Sequence, residues 1–127
     1  MRRRIDPAQG LAALASWQQE PHSQRSTIAT AVRFTLEELG TRAPGRSVEV
    51  RVPPFGAVQC LQGPRHTRGT PPNVIETDAD TWLSLACGRL SWDQAYEAGS
   101  LRASGGRADL RGQLPIFTQP LAPGGPA

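Results

Sequence analysis

The sequence predicts an α+β fold, a mostly antiparallel sheet of about four to five strands with helices packed on one face. Three observations predict it. Apolar residues repeat at helical spacing up to residue 40, at a period of two from residue 46, and at helical spacing again from residue 79. Strand patterns fall both before and after a pair of short helices, an order that favours an antiparallel-rich sheet covered on one side. The length of 127 residues fits one domain, placed at residues 1–118. A Pro/Gly-rich tail over 119–127 reads as disordered.

Each element has its own signal. Asp6-Pro7 is a helix start, with Asp as N-cap and Pro at the first helical position. Leu11, Leu14 and Ala15 share a face, Trp17 lies at its edge, and Pro21 ends the helix. Ser23 is the expected N-cap of a second helix, where Ile28, Val32, Leu36 and Leu39 recur and Gly40 supplies the C-cap. Glu37 and Glu38 oppose the helix dipole at that end. Val48, Val50 and Val52 then alternate with Glu49 and Arg51, a half-buried strand stopped by Pro53-Pro54. A second strand spans residues 56–62, with Val58 and Cys60 on one face. Asn73 to Thr77 is a third. Thr77-Asp78-Ala79-Asp80 is a capping-box variant that opens a short helix bearing Trp82, Leu83, Leu85 and Ala86. Ser91-Trp92-Asp93-Gln94 is a capping box proper, with Leu90 and Ala95 spaced as a hydrophobic staple. Its helix buries Ala95 and Tyr96. Ser100 to Ser104 alternates as a fourth strand, and Leu110 and Leu114 predict one last helical turn or two.

Composition excludes several classes. All 14 basic residues are Arg, a pattern read as codon bias, and the net charge is +3 with a pI near 9.6. This balance suits solubility, an acidic partner or transient contact with a membrane surface. It is too small and scattered for nucleic acid, whose binding also calls for aromatic platforms among the charges. Met1-Arg2-Arg3-Arg4 starts like a signal peptide, but Ile5-Asp6-Pro7 breaks that pattern. With no apolar run of membrane-spanning length and only two cysteines, the expected location is the cytoplasm.

No catalytic constellation emerges. Cys60 and Cys87 read as small core residues rather than partners of His22 or His66. Neither cysteine nor histidine spacing matches a metal site, and the alternating Glu76, Asp78 and Asp80 are explained by capping. Phosphate loops are absent; Gly105-Gly106 reads as a turn. The chain is expected to need no cofactor and no metal and not to be an enzyme. Arg65, His66 and Arg68 form the one local basic cluster, read first as a solvated loop and second as a seat for a phosphate or carboxylate. Trp82, Trp92, Tyr96 and Phe117 gather in the C-terminal third, with Phe55 between the first two strands. Aromatics on short, glycine-bounded helices read as core and also suit an apolar pocket.

Four stretches carry a family resemblance: Asn73-Val-Ile-Glu-Thr-Asp, Thr81-Trp-Leu-Ser-Leu-Ala-Cys-Gly-Arg-Leu, Asp93-Gln-Ala and Gly99-Ser-Leu-Arg-Ala-Ser-Gly. In this order the segment Asn73 to Leu114 resembles the C-terminal half of the sterol carrier protein domain, and the short length with the Pro53-Pro54-Phe55-Gly56 strand link looks most like its compact bacterial, actinobacterial-type members. A similar domain forms the C-terminal part of mycothiol-dependent maleylpyruvate isomerases. The resemblance implies non-enzymatic binding or carrying of a lipid, fatty acyl or sterol-like, in an apolar tunnel between sheet and helices. It departs from the family's usual five strands, since four are legible. On motif position and apolar character, Phe55, Val58, Trp82, Leu85, Leu90, Tyr96, Leu101, Leu110 and Leu114 are the expected lining, and Arg65, His66 and Arg68 the expected headgroup contacts. The alternative is a protein-interaction or accessory domain on the same fold with no functional lipid pocket. Oligomeric state and the ligand's identity have no signature in these residues.

Overall fold

The computed structural model describes residues 4–63 and 73–118. Its elements run α1 (Pro7–Gln19), α2 (Arg25–Arg42), β1 (Val48–Val52), β2 (Gly56–Cys60), β3 (Asn73–Thr77), α3 (Ala79–Ala86), α4 (Trp92–Glu97) and β4 (Leu101–Ser104). The fold class is α+β as expected. The expected tail at 119–127 and the Arg65–Arg68 loop lie outside the described residues.

The four strands form one sheet in the order β2-β1-β3-β4. β1 pairs with β2 and β3 with β4 antiparallel, while the central pair β1–β3 is parallel. The sheet is therefore mixed, with two antiparallel pairings of three. The register places Val58 and Ile75 beside Val50, and Ala103 beside Ile75. One face thus carries Val48, Val50, Val52, Val58, Cys60, Ile75 and Leu101, all buried in the core with residues of the helices. The other face carries Glu49, Arg51, Gln59, Glu76 and Arg102. This alternation is the period of two made physical.

α1 and α2 form a helical hairpin, and α2 also touches β2 and α3. That central place explains why α2 is buried at Val32 and at Phe34 through Glu37. Asp6 caps α1 as expected, its carboxylate accepting from the Gln9 amide at 3.3 Å. Gly10 lets the helices close: a Cβ there would lie 2.2 Å from the Phe34 ring.

Three local expectations need correction and a fourth is met in part. The N-cap of α2 is Gln24 rather than Ser23, whose hydroxyl donates instead to the Glu20 carbonyl. The helix runs through Gly40 to Arg42, because burying Leu39 and Ala43 outweighs the glycine's propensity cost of about 1 kcal/mol. Asp78, not Thr77, caps α3: its carboxylate accepts from the Thr81 amide at 2.8 Å, while the Thr77 hydroxyl donates to the Ser100 carbonyl at 2.7 Å. Residues 110–114 make a single turn, closed by the Gln113 and Leu114 amides on the Leu110 carbonyl, and the second helical turn does not follow; Pro115 discourages helical continuation. The chain then returns to α3, where the Ile116 and Phe117 amides both donate to the Ala86 carbonyl at 2.9 Å.

Buried polar groups on the core side are matched. Asn73, at the start of β3, donates from Nδ2 to the Ser47 carbonyl and accepts at Oδ1 from the Arg107 amide, each at 2.9 Å. It ties β1 to the turn after β4 within a site only 3% exposed.

Candidate apolar pocket

The site is built on the corner between α3 and α4. α3 ends in a Schellman motif: the Arg89 amide donates to the Ser84 carbonyl at 2.9 Å and the Gly88 amide to Leu85 at 3.3 Å. Gly88 takes φ +77°, a conformation that other residues reach only with strain. Ser91 then starts α4 with the full capping box, its side chain accepting from the Gln94 amide and the Gln94 side chain from the Ser91 amide. The corner leaves Leu85, Leu90 and Trp92 facing Leu114 and Pro115 of the returning segment. Together they form the apolar floor of a pocket of about 340 Å³. Ser91, Asp93, Gln94 and Arg111 supply its polar rim. This volume falls within the roughly 300–1,000 Å³ of small-molecule sites.

Arg111 links the rim's two sides. It donates to Asp109 at 2.7 Å and approaches Asp93 of α4 at 3.5 Å. The hydrogen bonds from Arg111 hold the Asp109 carboxyl below its usual range. These groups are largely solvated, so the link is weak and able to part.

The sequence-derived lining residues divide by location. Leu90 and Leu114, half-buried, meet in this pocket, with Leu85 behind them at 1% exposure. Phe55, half-buried, lines a separate pocket beside α2. Val58, Trp82, Leu101 and Leu110 are 0–6% exposed in the closed core between sheet and helices. Trp82 is fixed there by its indole N–H, which donates to the Thr35 hydroxyl at 2.8 Å. Tyr96, expected on the buried side of α4, is 58% exposed; Trp92 and Ala95 are the buried residues of that helix. Arg65, His66 and Arg68 lie outside the described residues. Sequence reading grouped Trp92 with the pocket-suited aromatics but left it out of the expected lining, and missed Asp93, Pro115 and Arg111. The capping box had already put Trp92 and Asp93 in the first turn of α4, so their place beside Leu90 was legible; nothing local marked Arg111.

Neither thiol is poised as a nucleophile. Burial pushes the Cys60 thiol up to about 11 and also raises Cys87, with Gln18 and Arg89 opposing the shift at the latter. Among the described residues, no group of three or more His, Cys, Asp or Glu side chains is placed to hold a metal ion, and no helix is long and apolar enough to cross a membrane.

Residues 24–116 match the family model described as the bacterial SCP (sterol carrier protein) ortholog. The chain belongs to this family. The matched span covers α2 through β4 and the returning segment, including the whole 340 Å³ pocket, and leaves α1 outside. No curated protein matches the chain. Membership of the family points to lipid binding or carrying in general.

Proposed function

We propose that this sterol carrier family member binds and carries the apolar tail of a lipid, without catalysis, in the pocket between α3, α4 and residues 111–115. The observation that carries this reading is the floor of Leu85, Leu90, Leu114 and Pro115 under a polar rim, within the family-matched span. Each methylene leaving water for that floor contributes about 0.8 kcal/mol. The tail's polar end is neutral, as in an acyl ester or a sterol-like alcohol. Among the described residues Arg111 is the one cation of the rim and faces both Asp93 and Asp109, which offset its attraction for an anion. Loading takes place in the cytoplasm by transient contact with a membrane surface, helped by the net charge of +3.

Native mass spectrometry of the purified protein, followed by organic extraction, tests the reading. The expected result is a lipid at near-stoichiometric level. Leu90→Glu and Leu114→Glu place a carboxylate against the half-buried apolar floor and are expected to cut uptake by roughly tenfold or more. An apo mass with no uptake on titration, or full uptake by both variants, overturns the proposal. The closed core around Trp82 favours a second reading, a protein-interaction domain on the same fold, and an apo protein that co-purifies with one defined partner would support it.

A further inference from the structure

A second pocket, of about 750 Å³, lies between the chain preceding α1, α2 and the β1–β2 turn. Its apolar part is Ile5, Leu36 and Phe55, and its charged part is Arg4, Arg33 and Glu37. Glu37 is 7% exposed, and its carboxylate accepts from the backbone amides of Arg4 and Ile5 at 3.1 Å. Those bonds pin residues 4 and 5 against α2 and bring Arg4 to the pocket. Glu37 keeps its negative charge, so Arg4 and Arg33 leave the described lining with a net charge of +1. Arg33 donates from Nε to the Phe55 carbonyl at 2.9 Å, which orients its guanidinium and leaves its terminal nitrogens. Among the described residues neither guanidinium is in an ion pair. Arg25 stacks over the Phe55 ring at 5.2 Å and adds a third cation at the edge.

We infer that this pocket binds an amphipathic oxyanion, a phosphate monoester or carboxylate on an apolar body. Arg4 and Arg33 take the oxyanion by charge-assisted hydrogen bonds, and Ile5, Leu36 and Phe55 take the apolar part. Arg4 and Ile5 precede the family-matched span, so this chain completes the site with residues of its own N-terminal segment. The inference goes beyond the tail-binding pocket and does not depend on it: the two share no lining residue.

Two-dimensional amide NMR of the full chain tests it, with octyl phosphate as probe and octanol and inorganic phosphate as controls. Octyl phosphate is expected to shift the Ile5, Phe55 and Gly56 amides saturably and more tightly than either control. Arg4→Gln and Arg33→Gln, both at exposed positions, are each expected to weaken it by roughly tenfold. Four results overturn the inference: no shift at these amides, equal binding of octanol, equal binding of inorganic phosphate, or unchanged affinity in both variants. Shifts confined to Leu90 and Leu114 would support the tail-binding pocket while overturning this one.

Discussion

The indole of Trp82 shows how a single side chain can belong to the fold while resembling a ligand contact. Its ring is 1% exposed, and its N–H has one partner, the Thr35 hydroxyl, which itself donates to the α2 backbone. Thr35→Val keeps the shape and removes that acceptor. The expected cost is about 1–3 kcal/mol of stability, read as a lowered denaturation midpoint at unchanged m-value; a Val variant as stable as the parent would show that the indole is satisfied elsewhere. At this scale, local chemistry was legible and reach was not. Asp6 and the Ser91–Gln94 box cap as their side chains dictate. Trp82, Leu101 and Tyr96 are all apolar or amphipathic in the sequence, yet two are closed in the core and one faces solvent. Hydropathy does not say which apolar side chain meets a cavity; that depends on how the chain after β4 folds back over α3.

Elements show the same division. β3 was read to the residue because Asn73 and Thr77 mark its ends, whereas the end of α2 was misplaced because Gly40 is a stop signal only where nothing packs beyond it. Leu39 and Ala43 supply that packing. The α1–α2 contact has a glycine of the opposite kind, required by distance. Gly10→Ala drives a methyl into the Phe34 ring, which also stacks on Phe117 with centroids 5.9 Å apart. The expected effect is a loss of about 1–3 kcal/mol from overpacking. Hydrogen exchange should locate it as faster exchange along α1; a uniform loss across the sheet would place the strain elsewhere. The α3–α4 corner was legible as Gly88 and the capping box. The segment that completes its pocket was read as a last helical turn or two because Leu110 and Leu114 are four apart; one turn forms, and Pro115 and the tie to Ala86 end it there.

For the whole molecule, the two thiols report on how the core opens. Cys60 is fully buried on β2 with its thiol pushed up to about 11, while Cys87 is half-buried beside Arg89. At pH 8, iodoacetamide is expected to label Cys87 first and Cys60 only as the protein unfolds; rapid native labelling of Cys60 would mean that β2 opens by itself. Between the ordinary thiol value of 9.0 and about 11 an unfolded chain gives up the Cys60 proton that the native state retains, so stability falls as pH rises through that window. The strand count was legible but the pairing of β1 with β3 was not, since a parallel neighbour leaves no mark in either strand's own period of two. That pairing has a consequence for the order of assembly. The hairpin of α1 on α2 and the β1–β2 pair are complete once Cys60 has been made, yet one long side of β1 has its partner only when Asn73–Thr77 emerges. During synthesis Val48–Val52 therefore waits with a row of open amides and carbonyls, and this half-sheet is the stage at which the nascent chain is most exposed to pairing with the wrong strand.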